Sequence, residues 1–97
     1  MCFSKMVTRY ERGRGFEYRT ANHYKSLGWF VMRSAGSHTA VDLIAIKGKE
    51  MKLIQCKRDG RISESEKEEM RKLALPIGAE AILARIDICR KLVLERL

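Results

Sequence analysis

The 97-residue sequence predicts a mixed α/β fold, one sheet with helices packed on it, in the order helix, three strands, helix, two strands. Three observations predict it. Phe16, Thr20, Ala21, Tyr24 and Leu27 recur at helical spacing. Two apolar runs, Val41–Ile46 and Met51–Lys57, flank the short glycine-bearing segment Lys47-Gly48-Lys49-Glu50. Ser63-Glu64-Ser65-Glu66 has the spacing of a capping box, the signature of a helix start.

The first helix is expected over Arg14–Leu27, with Gly28 at the left-handed position that closes it. Trp29–Arg33 is a short β-rich run, and Ser34-Ala35-Gly36-Ser37-His38 reads as a polar loop. If Gly48-Lys49 make a two-residue turn, Lys47 faces Glu50 and Ile46 faces Met51. The same register sets Ile44 against Leu53, Asp42 against Gln55 and Ala40 against Lys57. Alternation then puts Asp42, Ile44, Gln55 and Lys57 on one face, and Val41, Leu43, Ile54 and Cys56 on the other. The second helix runs from its Ser63 cap to about Leu75, acidic at its start and basic at its end as the helix dipole favours. Pro76 and Gly78 stop it, and Glu80–Ile86 and Lys91–Leu97 are two further strands. Met51, Met70, Leu73 and Ile77 are read as packing residues. With one proline, no repeat and no linker-like stretch, residues 1–97 read as a single domain whose residues 1–13 are a basic N-terminal arm, loose over 1–8.

Composition narrows the function. No apolar run approaches the ~18 residues of a membrane span, and three widely spaced cysteines suit neither a disulfide framework nor a zinc ribbon. A cytoplasmic protein is expected, with no membrane partner and no small-molecule cofactor. The net charge of +8 lies entirely in residues 1–62, which hold 13 basic and 5 acidic side chains; residues 63–97 hold 7 of each. All seven aromatic residues fall between Phe3 and Phe30. A lopsided basic field suits a polyanion, most often nucleic acid, although basic charge also serves plain solubility.

The polar residues of the hairpin cluster at one end. Asp42, Gln55 and Lys57 converge there, and Glu17, on the edge of the first helix's apolar face, should point toward the sheet. Phosphodiester cleavage uses such a group: carboxylates hold Mg²⁺ through hard oxygen ligands, the metal activates water, and a lysine steadies the developing charge. Taken singly, each has a structural account as well. Glu17 could be a solvated helix charge, Asp42 a strand-edge residue and Lys57 an edge charge that discourages aggregation. Cys56 points away from them as a core thiol, and His23 reads as a helix-surface residue.

From Phe16-Glu17 to Lys57 the chain resembles the archaeal Holliday junction resolvases of the Hjc type and their viral relatives, in the PD-(D/E)XK nuclease superfamily. The resemblance rests on a helix glutamate, Leu27-Gly28-Trp29-Phe30-Val31-Met32-Arg33-Ser34-Ala35-Gly36-Ser37, Val41-Asp42-Leu43-Ile44-Ala45 and Leu53-Ile54-Gln55-Cys56-Lys57. It implies a restriction-endonuclease-like αβββαββ core and an Mg²⁺-dependent endonuclease, with Mn²⁺ as a substitute, that resolves four-way DNA junctions as a homodimer. Glu17, Asp42, Gln55 and Lys57 take the catalytic positions, with Asp42, Gln55 and Glu17 on the metal. Arg33 and Ser37 would line the site and touch the scissile phosphate; Ser34 is a further DNA-binding candidate, and His38 could touch a phosphate or be simply a mobile loop histidine. The family usually has glutamate where this chain has Gln55, so a neutral carbonyl replaces a charge and the metal should bind more weakly. Mrr-type relatives also use glutamine there. Arg58 to Leu75 resembles instead the segment after the lysine in VRR-NUC nucleases, which implies another structure-specific DNA nuclease as an alternative. A non-catalytic junction-binding module with a decayed site is the other alternative. Arg9, Arg12, Arg14 and Arg19, with Arg58 and Arg61 beyond Lys57, would track phosphates, which positions a protein without reading bases.

Overall fold

The computed structural model describes residues 9–34 and 40–97, with side chains from Arg14 onward. Helix α1 spans Arg9–Ser26, followed by strands β1 (Phe30–Arg33), β2 (Leu43–Lys47) and β3 (Glu50–Cys56). Helix α2 (Glu64–Ala74) runs into a 3₁₀ turn over Leu75–Ile77, and β4 (Glu80–Ile86) and β5 (Leu92–Arg96) complete the chain. The five strands form one sheet in chain order; every pairing is antiparallel except that of β3 with β4. Parallel neighbours need a crossover, and α2 supplies it.

Helix α1 begins five residues before its expected start, so Arg9, Arg12 and Arg14 are helical and the segment 9–13 is not an extended arm. Apolar periodicity begins only at Phe16, whereas the preceding Arg-Tyr-Glu-Arg-Gly-Arg carries no apolar stripe from which a helix can be read. The arm over 1–8, and Ser37 and His38 in the loop before Asp42, lie outside the described residues. The helix end is as expected. Gly28 has φ +90°, its N–H donates to Lys25 O at 3.0 Å, and the Trp29 N–H donates to Tyr24 O at 3.1 Å. These two bonds make a Schellman motif, which turns the chain straight into β1.

The β2–β3 hairpin has the register derived from its turn. Lys47 pairs with Glu50, Ile46 with Met51 and Ile44 with Leu53, around Gly48 at φ +60°. Two cores lie on opposite faces of the sheet. Phe16, Ala21 and Tyr24 of α1 pack on Leu43, Ala45, Ile54, Ile82 and Ala84. Met70 and Ala74 of α2 pack with Ala40, Val41, Leu53 and Ala81, with Ile44 and Met51 alongside. Val41 therefore lies on the α2 side, opposite to its expected face. Val41 and Ile44 are three apart yet share a cluster, so strict alternation fails before regular pairing begins at Leu43. The capping box forms as read, with Ser63 Oγ accepting from Glu66 N at 3.1 Å and Glu66 Oε1 accepting from Ser63 N at 3.3 Å. Met70 is fully buried, but Leu73 and Ile77 are exposed and do not pack. They lie on the outer side of the helix end, away from the sheet. No described helix is long and apolar enough to cross a membrane.

Ile54 is fully buried on the central strand, whereas Ile88 is 98% exposed. Ile54→Ala should lower the unfolding free energy by about 2–5 kcal/mol. Ile88→Ala should change it by no more than about 0.5 kcal/mol. Urea denaturation of the two variants beside the wild type checks this contrast.

Candidate active site

The site forms where β2 begins and β3 ends. The Asp42 N–H donates to Ile54 O at 2.9 Å, and its side-chain Oδ2 accepts from the Cys56 N–H at 2.8 Å. Both backbone and carboxylate of Asp42 are thus held by β3. Ser34 N–H donates to Asp42 O at 2.9 Å, which brings the end of β1 to the same place. Burial raises the Asp42 pKa above the ordinary value; the Cys56 N–H bond and Lys57 lower it, while Glu17 and Glu66 raise it. Charges from both helices therefore act on one aspartate.

Gln55 follows from the central position of β3, between β2 and Leu83 of β4. It is only 3% exposed. Its Nε2 donates to Glu66 Oε2 on α2 at 2.7 Å, and Lys57 Nζ lies 3.2 Å from the same oxygen. Gln55 Oε1 is buried and has no hydrogen-bond partner among the described residues. A buried carbonyl left alone costs about 1–3 kcal/mol and calls for a ligand or a function.

Glu17 lies on α1 and its Oε1 is 3.3 Å from Arg33 Nη2 of β1. Arg33 also lies over the Tyr18 ring, 5.2 Å from its centroid. Arg14 approaches that ring from the other turn, at 5.7 Å, and donates to the Tyr18 hydroxyl at 3.4 Å. The Arg14 bond and charge, with Arg33, hold the Tyr18 pKa below its ordinary value. Arg19 and Arg58 line one pocket of about 230 Å³ with Gly15, Phe16 and Ile86, and Arg19 Nη2 donates to Arg90 O at 2.8 Å. Arg61 is exposed beside Asp59, 3.9 Å away. Gln55 and Lys57 thus meet at the Glu66 carboxylate, and Asp42 is bonded to the Cys56 N–H between them and feels the Lys57 charge. Glu17 reaches Asp42 through its charge and Arg33 through an ion pair, while Arg61 stays apart.

Cysteine chemistry does not belong here. Burial, reinforced by Asp42, pushes the Cys56 thiol up to about 12, so it stays protonated in the core beneath α1. A hard divalent cation suits the donor set better. The Asp42 carboxylate and the lone Gln55 carbonyl oxygen are hard donors at one strand end, and the Glu17 carboxylate on α1 is close enough for its charge to raise the Asp42 pKa. Among the described residues no three His, Cys, Asp or Glu side chains converge to form a closed metal cage. Mg²⁺ needs none, since it keeps several waters and binds through one or two protein oxygens and substrate phosphate.

A family model, archaeal Holliday junction resolvase (Hjc), matches residues 8–85. The chain belongs to the archaeal Holliday junction resolvase family. Its fold is similar to the solved structure of Archaeoglobus fulgidus Hjc, a Holliday junction resolvase from an archaeal hyperthermophile, with a TM-score of 0.76 and 24% identity over 88% of this chain and 72% of that one. The PD-(D/E)XK-like α/β architecture expected from the resemblance is the one observed. No curated protein matches the chain.

Two residues at the site have no functional signature in the sequence. Glu66 is legible only as the third residue of a capping box; its carboxylate reaches Gln55 because α2 crosses back over β3. Burial opposes its charge, but hydrogen bonds from Gln55, the Ser63 N–H and Lys57 hold its pKa below the ordinary value. Tyr18 carries no motif at all and is placed between two arginines by the helical turn and the adjacent strand.

The half-buried charge of Asp42 should cost the resting protein stability. With its pKa raised in the folded state, stability increases as pH falls through that value and the cost is fully present above it. Asp42→Asn, which keeps an acceptor for the Cys56 N–H, should raise the thermal midpoint in EDTA at neutral pH. The difference should vanish in acid, where Asp42 is protonated. Calorimetry across pH checks both parts.

Proposed function

We propose that this protein is a metal-dependent DNA endonuclease that resolves four-way junctions by paired symmetric nicks, acting as a homodimer in the cytoplasm. The observation that carries the reading is the meeting of Asp42, buried Gln55 and Lys57 at one strand end, with the Gln55 carbonyl oxygen unpartnered. Family membership supports the substrate: a Holliday junction is what the matched family is named for.

Asp42 and Gln55 Oε1 would hold Mg²⁺ or Mn²⁺, with Glu17 binding the same ion or orienting water. The cation, when bound, polarises the scissile phosphate and lowers the pKa of a bound water. Lys57, with its side chain about one-third exposed at the site edge, stabilises the charge that develops on the phosphate. Arg33, steadied by Glu17 and the Tyr18 ring, contacts a non-bridging phosphate oxygen. Arg19 and Arg58, which line one pocket, hold a flanking phosphate, and the arginines of the first turns of α1 extend the track.

Symmetric nicking needs two equivalent sites, which a two-fold dimer supplies. Leu73, Leu75 and Ile77 are 42%, 82% and 55% exposed at the end of α2, an apolar surface that a second subunit can cover.

Incubation with a synthetic four-way junction tests the reading. Wild-type protein should make paired symmetric nicks in Mg²⁺ or Mn²⁺ and none in EDTA, and Asp42→Ala should make none. Lys57→Ala should slow cleavage by about 10²–10³ while junction binding stays within a few-fold. Tight binding without cuts would leave a junction-binding module, and cuts on flaps or duplex ends would replace the substrate. Replacing Arg9, Arg12 and Arg14 together with glutamine should flatten the salt dependence of binding, by about 0.9 in log–log slope for each phosphate no longer neutralised. Fluorescence anisotropy across a salt series reads that slope.

A further inference from the structure

Gln55 poses a chemical problem that a glutamate would not. Either oxygen of a carboxylate can face a cation, but only one end of an amide can; the other carries two protons and repels positive charge. The terminal torsion of glutamine is broad and roughly two-fold, so the side chain itself does not choose between its ends. A glutamine ligand therefore needs a neighbour that makes the choice.

Glu66 has the chemistry and the position to make it. Its Oε2 lies 2.7 Å from Gln55 Nε2, and an ionised carboxylate has no proton to give, so only the amide NH₂ can face it. The carbonyl oxygen is then directed elsewhere, buried and without a partner among the described residues. Glu66 is itself held from behind. Its Oε1 accepts from Ser63 N and Ser63 Oγ, both at 3.3 Å, and Ser63 Oγ accepts from Glu66 N. Lys57 Nζ shares Oε2 at 3.2 Å, so the same carboxylate also fixes where the ammonium stands. Its acceptor capacity is taken up by these donors, which makes it a support for the site rather than a ligand.

We propose that Glu66 is a positioning residue that orients the Gln55 amide so that its carbonyl oxygen faces the metal, the role that lets glutamine stand at this position. The inference rests on the metal-dependent reading above. Outer carboxylates that hold a ligand in one orientation typically contribute about 10–100-fold to metal affinity.

Exchange of the two side chains tests it without cleavage. Glu66→Gln preserves the capping box, because glutamine serves at that position as well as glutamate. With the carbonyl of the introduced amide turned to Ser63, however, its NH₂ faces Gln55, which must turn its own carbonyl inward and present NH₂ to the cation. In the double variant Gln55→Glu/Glu66→Gln the bond is restored in reverse, and the free oxygen at position 55 again faces the metal. Mn²⁺ alone is titrated into DNA-free protein, with paramagnetic broadening of the Cys56 amide in ¹⁵N NMR spectra as the readout, since that amide bonds Asp42. Glu66→Gln should weaken Mn²⁺ binding by about 10–100-fold in protein whose ¹⁵N spectrum remains that of the folded chain, and the double variant should return to wild-type affinity or better. Unchanged affinity in Glu66→Gln would reduce Glu66 to a helix cap and overturn the proposal while leaving the metal reading intact. Failure of the exchange to restore binding would overturn it as well, and it decides the matter even if the single variant unfolds. Absence in the wild type of any Mn²⁺ broadening that Asp42→Asn abolishes would instead bring down the metal reading, and this inference with it.

Discussion

A slip of one residue in the pairing of β2 with β3 would turn Gln55 and Lys57 to the α1 face and strand them away from Glu66. Strand side chains alternate with a period of two, so register is an all-or-none property of this hairpin. The Gly48-Lys49 turn sets it at one end. At the other end it is locked by two bonds from opposite strands: Asp42 N–H to Ile54 O, and Cys56 N–H to Asp42 Oδ2. Between them Leu43 and Ile54 are fully buried against α1, so any other register would expose the core as well as dismantle the site.

The two helices divide the work on either side of that hairpin. From one face α1 brings Glu17 and, through Tyr18, steadies Arg33 on the edge strand. From the other, α2 brings Glu66 over Gln55 and Lys57. Asp42 lies where both influences meet: burial raises its pKa most, carboxylates from both helices add to that, and the Cys56 N–H and a lysine lower it. The arrangement is poorly suited to stability: a half-buried aspartate and an unpartnered amide oxygen each oppose folding. Groups of this kind placed together mark a functional site rather than a region selected for stability.

The same carboxylate of Glu66 ends a helix and supports the site, with one oxygen given to Ser63 and the other to Gln55 and Lys57. A capping box is a local device, fixed by a four-residue spacing, and it makes the first turn of α2 rigid. That rigidity is then available to any side chain the turn presents. The crossover from β3 to the parallel strand β4 aims the turn at the end of β3, so the cap becomes part of the site by topology.

Local chemistry determined much of this protein from the sequence alone. The Gly28 and Gly48 turns, the Ser63 cap, the hairpin register and the convergence of Asp42, Gln55 and Lys57 all follow from interactions a few residues apart or from strand alternation. The start of α1 at Arg9 was not legible, because a helix segment without an apolar stripe leaves no periodic trace. Nor was the α2-side placement of Val41, since burial against Met70 and Leu53 overrode alternation where the strand was not yet paired. The exposure of Leu73 and Ile77 likewise depends on where α2 rests on the sheet. Glu66 and Tyr18 joined the site only through packing of elements distant in sequence. Which side chain meets which across a crossover is decided by the sum of two cores closing on one sheet, a long-range condition that no local spacing encodes.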